Sequence, residues 1–330
     1  MNNIPLNRVL WLDIFKGELI LMVILGHVSA SAFLNNYFSS FYMPAFFIIS
    51  GYTMKEKLKV SLPEHLLHKA KMLLLPYFLF SICWIAFSYG KSFFTHAEFS
   101  VLSAFVSIFF PYSGRIGGST YIYWFLPCLF LSYLVFALII YLPHKQKILG
   151  GGLWGVYLVF GQILTHGSIL SCAAMAVLFI SLGYMMRNFK MGANISSKAL
   201  YTIVVLTLVN AICICLNKNT LDFSSAAFGN VFLFILGAFA GTAAWAIISQ
   251  FVSKVCWVNQ GFAYIGKNSL AFYTIHFFFN SIAGILEYSV TSFFTVLILT
   301  ASSVVVYNKI GLNNLFQGNI SLCQIFPNKL

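Results

Sequence analysis

A run of apolar residues near the start of the chain carries four ionisable side chains. It reads Leu10-Trp11-Leu12-Asp13-Ile14-Phe15-Lys16-Gly17-Glu18, continues apolar, and closes on Gly26-His27-Val28-Ser29-Ala30-Ser31. Ionisable groups inside an apolar span are costly and mark a functional site by default. At ~100° per residue, Lys16 and His27 differ by only ~20° around a helix, with ~16 Å of rise between them. Asp13 and Ser31 fall within ~60° of the same line, and Glu18 points nearly the opposite way. The result is a polar stripe with an ion pair at one end and an imidazole towards the other. A neutral imidazole in a low-dielectric site can take a proton from a hydroxyl as that hydroxyl attacks a carbonyl. Lys16 is too far along the helix to touch His27, so it is assigned to substrate binding or to structure. A blander reading stays open, in which Lys16 and Asp13 are an i, i+3 pair snorkelling to an interface and His27 makes an interhelical hydrogen bond.

These side chains need elements to hold them, and the composition says of what kind. Of 330 residues, 60% are hydrophobic and only 8% charged, whereas soluble domains carry about 25% charged residues. A water-soluble globule, a collagen, a disordered chain and a small disulfide scaffold are all excluded. Long apolar runs near 10–33, 37–54, 72–90, 121–142, 149–165, 169–186, 199–216, 227–249, 264–286 and 289–308 are each long enough to cross ~30 Å of hydrocarbon, the second only barely. A run at 99–111, closed by Pro111, is too short and is placed as a re-entrant or interfacial segment. The expected fold is therefore all-α, a polytopic membrane helix bundle of about ten transmembrane helices in one membrane domain, residues 8–308. No signal-peptide cleavage site follows the first run, which is read as a retained anchor.

Ten spans put both termini on one side. With that side cytoplasmic, it holds Arg8, Lys16, Lys55, Lys57, Lys59, Lys69, Lys71, Lys145, Lys147, Arg187, Lys190, Lys198, Lys254, Lys267, Lys309 and Lys329, against Lys91, Arg115 and Lys218 opposite. This is a strong positive-inside bias. It accounts for the net charge of +12 without nucleic acid and makes 309–330 a short cytoplasmic tail. The seven cysteines lie apart, mostly in apolar runs and with no Cys-x-x-Cys pair; they read as small apolar residues, and neither a disulfide framework nor a metal site is expected. The longest connections, 55–71 inside and roughly 91–120 outside, are of a size more often functional than the rest.

At this point the chain resembles the acyltransferase 3 family of bacterial membrane proteins, which O-acetylate sugars of surface glycans. Leu12-Asp13-Ile14-Phe15-Lys16-Gly17 through His27 is similar to its first-helix signature, a basic residue ten intervening positions before a histidine. Phe41-Tyr42-Met43-Pro44-Ala45-Phe46-Phe47-Ile48-Ile49-Ser50-Gly51-Tyr52 is similar to its second, a methionine-proline turn into an aromatic helix ending in Ser-Gly-Tyr. Leu75-Pro76-Tyr77, Tyr123-Trp124-Phe125-Leu126 and Ile265-Gly266-Lys267-Asn268-Ser269-Leu270 with Tyr273 and His276 resemble later positions. The resemblance implies transfer of an acyl group, usually acetyl from acetyl-CoA on the cytoplasmic side, to a sugar hydroxyl of a lipid-linked or nascent glycan. His27 matches the family's essential histidine. Lys16 stands where the basic partner is more often arginine, as in the branch with fucose 4-O-acetylase-like members, and lacks the planar fork of arginine. Two arginines before the third helix of many relatives are represented here by His68-Lys69-Ala70-Lys71, which keeps only charge.

The candidate catalytic residues are thus His27, Lys16 and Asp13, and the candidate donor contacts Lys69, Lys71 and His68. Lys55, Lys57, Lys59, Lys69 and Lys71 together suit the phosphates of CoA, or simply obey the positive-inside rule. Gly114-Arg115-Ile116-Gly117-Gly118 has neither the Walker nor the dinucleotide spacing. On the outer side Tyr112, Arg115, Tyr121, Tyr123 and Trp124 offer flat rings and a cation suited to a sugar, or form an interfacial aromatic belt. Ser269, Tyr273 and His276 lie within ~60° of one another and either line one polar cavity with His27 or make interhelical hydrogen bonds. Ser50 completes the candidate acceptor or cavity-lining set.

The expected function is that of an integral membrane O-acetyltransferase of the bacterial inner membrane, modifying O-antigen, capsule or a related polysaccharide of the cell envelope. Acetyl-CoA is its donor substrate, with no permanently bound cofactor, and its partners are the glycan acceptor and membrane lipid, not nucleic acid. His27 serves as base or as a transient acyl carrier. The span from the cytoplasmic loop to His27 is ~20 Å, roughly the reach of an extended pantetheine arm. A polytopic transporter or lipid-glycan flippase is the alternative, against which stands the lack of a repeated half.

Overall fold

The computed structural model describes residues 9–28, 31–54, 61–109, 121–141, 169–187, 198–217, 221–255, 258–285 and 290–312. They form α1 (Leu10–Val28), α2 (Ala32–Ser39), α3 (Tyr42–Tyr52), α4 (Leu62–Thr95), α5 (Val101–Phe109), α6 (Phe125–Tyr141), α7 (Ile169–Met186), α8 (Ala199–Asn217), α9 (Val231–Val252), α10 (Asn259–Lys267), α11 (Ser269–Ile285) and α12 (Val290–Lys309), with a short 3₁₀ turn, Tyr121–Tyr123, ahead of α6. Among the described residues there is no β-sheet. Among the described residues, six stretches are long and apolar enough to cross a membrane: α4, Tyr121–Tyr141, α7, α8, α9 and α12. The protein is a multi-pass membrane protein. The expected fifth span, 149–165, and the glycine run with Arg115 lie outside the described residues.

Hydrophobic runs mark where hydrocarbon begins and ends, and the helices do not always follow. The second expected span, 37–54, is two helices. α2 closes at Ser40, whose hydroxyl donates to Tyr37 O at 2.7 Å and whose N–H reaches back to Asn36 O, and α3 starts two residues on. The ninth, 264–286, is broken at Asn268. There the side-chain amide donates to Tyr264 O at 2.9 Å, the local backbone bond with which Asn competes against helix continuation. The connection at 55–71 is helical from Leu62: Ser61 Oγ accepts from Glu64 N, and Glu64 Oε2 accepts from Ser61 N, a capping box that starts α4 early. His68, Lys69 and Lys71 therefore stand on α4 and not in a loop. At 34 residues α4 is ~51 Å long, more than ~30 Å of hydrocarbon requires. The short run at 99–111 is the nine-residue α5.

The described residues group into two compact units. The first draws on Met1–Ile49, Met185–Asp222 and Phe228–Val304. Its centre is α1, packed against α2, α9, α10 and α11. α1 is apolar nearly all round, as a helix enclosed by others must be, and Ile14, Leu19, Val23 and Ile24 are fully buried. α1 meets α10 backbone to backbone. A methyl added at Gly17 would collide with the Phe262 carbonyl oxygen, and one added at Gly266 with that of Asp13. Small residues at such crossings let membrane helices approach this closely. Asn210 of α8 donates from Nδ2 to Gly237 O of α9 at 2.7 Å and to Ser40 Oγ at 3.0 Å, tying the α2–α3 corner to both helices.

The second unit takes Ser50–Tyr184, Phe223–Ala227 and Val305–Leu330. In it α4 packs on α5 and α6, and the Tyr77 hydroxyl donates to Ile108 O at 2.7 Å. The Gly51 Cα lies so near the Ile180 carbonyl oxygen of α7 that no larger residue fits.

Candidate active site

α1 delivers the stripe. Lys16 Nζ lies 3.8 Å from Asp13 Oδ1, with the lysine side chain 27% exposed and the aspartate 4%. Glu18, on the other side, is buried against α9, where the Ser249 hydroxyl donates to its Oε2 at 2.5 Å. The ion pair stays at its own end of the helix, ~16 Å of rise from His27.

His27 occupies the penultimate position of α1 and its side chain is accessible. Among the described residues neither of its ring nitrogens takes a hydrogen bond. Its ring centroid lies 5.4 Å from that of His276 and 5.1 Å from that of Phe277, both on α11. His276 is fully buried, with Nδ1 3.0 Å from Phe272 O, one turn back. Tyr273 adds a third ring, 6.2 Å from His276. Gly26 opens the other flank. A Cβ there would meet the Tyr42 ring at 3.9 Å and its hydroxyl at 4.0 Å, and that hydroxyl is 3.4 Å from Ser39 Oγ. The α1 end thus carries an accessible imidazole among a second imidazole, a phenol and apolar rings. Ser269, seven residues before His276, stands ~10 Å back along α11 and away from this cluster.

Sequence reasoning missed one member. Asp222, in the connection between α8 and α9, lies within electrostatic reach of both the His27 ring and the Tyr42 phenol. The connection is anchored from both ends. Asn230 N donates to Asn217 Oδ1 at 2.8 Å, Asn217 Nδ2 donates to Phe228 O at 3.1 Å, and Asn230 caps α9 by accepting from Leu233 N at 3.1 Å. A signal existed: Asp222 is one of only seven acidic residues and lies between two apolar runs.

In the second unit, the basic residues of α4 are not equivalent. Lys69 sits 5.0 Å over the ring of Tyr133, whose hydroxyl is 2.7 Å from His65 Nε2, while His68 and Lys71 are exposed. His65 also escaped the sequence reading, although its i, i+4 spacing puts it beside Lys69. Tyr123 and Trp124, expected to offer open faces to a sugar, are buried. Tyr123 is fully enclosed, 6.3 Å from Phe80, and Trp124 stacks on Phe223 at 5.9 Å. Protein fills the faces a sugar would need, because both rings are used to pack the start of α6. Ser50 is half-buried near the end of α3.

The profile of an acyltransferase domain, that of the acyltransferase 3 family, matches residues 9–307. The chain belongs to that family. It is an acyltransferase that transfers groups other than aminoacyl groups, which leaves the transporter reading without support. No curated protein and no solved structure gives a significant match. The matched stretch of this acyltransferase 3 member runs from the residue before α1 into α12, and so takes in the His27 cluster of the first unit and the Lys69 cluster of the second.

Proposed function

We propose that this membrane acyltransferase moves an acetyl group from acetyl-CoA to a sugar hydroxyl of a surface glycan, O-antigen, capsule or a related polysaccharide, in the bacterial inner membrane. The observation that carries the reading is His27, an accessible imidazole among the His276, Phe277 and Tyr42 rings, whose nitrogens take no hydrogen bond among the described residues. Such a ring can receive a proton from an entering hydroxyl. In the transfer, the sugar oxygen bonds to the thioester carbonyl carbon, the hydroxyl proton passes to His27, the carbon–sulfur bond breaks, and the proton leaves with the thiolate as CoA-SH. Tyr273 and His276 are buried behind the His27 ring, with Arg115 and Ser50 as further acceptor-side candidates. Donor handling falls to Lys69, Lys71 and His68. Lys69 is the best defined of them, because the Tyr133 ring beneath it and the His65 bond to Tyr133 fix where its ammonium points.

The deciding experiment uses membranes containing the wild-type chain or His27→Ala, fed labelled acetyl-CoA, with the host glycan fraction counted for label. Transfer by wild type alone, at equal protein levels, supports the assignment. Undiminished transfer by His27→Ala would sink it. Release of CoA thiol in step with glycan label identifies the donor, and label without thiol release would exclude acetyl-CoA.

A further inference from the structure

His276 raises a question that lining a cavity does not answer. Its Nδ1 lies 3.0 Å from the Phe272 carbonyl oxygen. A carbonyl only accepts, so Nδ1 carries the hydrogen and Nε2 presents a lone pair. That Nε2 is buried and has no hydrogen-bond partner among the described residues. An unsatisfied acceptor inside a protein is rare and costly, and such a group in a native fold calls for a donor.

A group of the right kind on another helix is His27, at 5.4 Å between ring centroids with the planes tilted by 36°. Phe277, whose ring lies 4.0 Å from that of His276, has no donor. His27 has the complementary need. As a base it must aim one lone pair at the hydroxyl, and its remaining N–H then requires an acceptor to hold the ring in that tautomer and orientation. Hydrogen bonds of this sort are commonly long in a ligand-free enzyme and close when substrate is bound.

We propose that His276 is the positioning residue for His27. Its Nε2 accepts the His27 N–H, so that the Phe272 carbonyl, His276, His27 and the sugar hydroxyl form one hydrogen-bonded line. The backbone of α11 thereby sets the direction of a base carried by α1. The proposal rests on the reading of His27 as the base.

The test compares His276→Gln, His276→Asn and His276→Phe in the labelled acetyl-CoA assay, with kcat and KM for acetyl-CoA measured separately and His27→Ala alongside. The Gln amide reaches the place of Nε2, whereas that of Asn stops near Nδ1. His276→Gln should stay within about tenfold of wild type in kcat, and Asn and Phe should fall by about 100-fold or more with KM unchanged. Asn and Gln differ by one methylene, so a general folding defect would strike both alike. Equal activity of Asn and Gln, or full activity of Phe, overturns the proposal. Full activity of His27→Ala overturns instead the reading beneath it.

Discussion

At the scale of single residues, the Lys16–Asp13 pair separates structure from chemistry. Asp13 is almost entirely buried while Lys16 keeps about a quarter of its surface accessible, so the carboxylate depends on the lysine more than the reverse. Removing the partner of a buried charge costs far more than the pair itself contributes. Lys16→Gln is expected to lower stability by about 1–3 kcal/mol, read as thermal unfolding in detergent, and Asp13→Asn added to it should restore most of that loss. Acetyl transfer should stay low in the double variant if the ammonium serves substrate; recovery of both stability and transfer would make the pair purely structural. Lys16→Arg retains the charge and should retain part of the activity. His27 and Lys16 could be singled out from sequence because charge within an apolar run is conspicuous in one dimension. Asp222 and His65 could not be singled out the same way. Each matters through a partner distant in the chain, His27 and Tyr42 for one and Tyr133 for the other, and no spacing rule joins residues that only tertiary packing brings together.

Elements were legible where hydropathy and hydrogen bonding end together, as at α7, α8 and α9. They were not where the two diverge. α4 outruns its apolar stretch because a capping box opens it, and Ser61-Leu62-Pro63-Glu64 does carry that Ser-x-x-Glu signature. Tyr123 and Trp124 were misplaced for the opposite reason: an aromatic cluster looks the same in sequence whether its faces meet solvent or Phe223. The contact of α1 with α10 yields a prediction at this scale. A methyl at Gly266 would strike backbone, which cannot rotate away as a side chain can, whereas Gly261 on the same helix has nothing within 4 Å of its would-be Cβ. Gly266→Ala should therefore lose about 1–3 kcal/mol or more by overpacking, together with folded yield. Gly261→Ala should be neutral or gain up to ~1 kcal/mol from the removal of a helical glycine. Detergent melting curves of both variants check this, and equal behaviour would show that the two helices do not touch as described.

For the whole molecule, the open quantity is how the chain threads the membrane, and the charge asymmetry makes a definite forecast. Six described stretches are long and apolar enough to span. α1 fails that description only through its three charged residues, and α11 is 17 residues long, ~26 Å of helix. Beyond α6, parity then turns on the stretch between α6 and α7. With Lys145 and Lys147 on the cytoplasmic side, as positive-inside bias requires, the run at 149–165 must cross once for α7 to bring Arg187, Lys190 and Lys198 back to that same side. Reporters placed after residue 145 and after residue 190 should both read cytoplasmic, with one between 165 and 169 reading external. A cytoplasmic reading between 165 and 169 with an external one after residue 190 would remove that crossing and leave α7 running from the cytoplasm outward, with Arg187, Lys190 and Lys198 on the external side. It would also undo the sixteen-to-three division of basic residues, since every loop after α7 would change sides. If the donor is acetyl-CoA and the acceptor a surface glycan, as proposed, the faces that α7 and the helices after it offer to each would then need reassignment even if His27 kept its role. On the proposed function, the acetyl group travels along α1 from the Lys16 end towards His27 only if those ends face opposite sides, so membrane topology bears on mechanism.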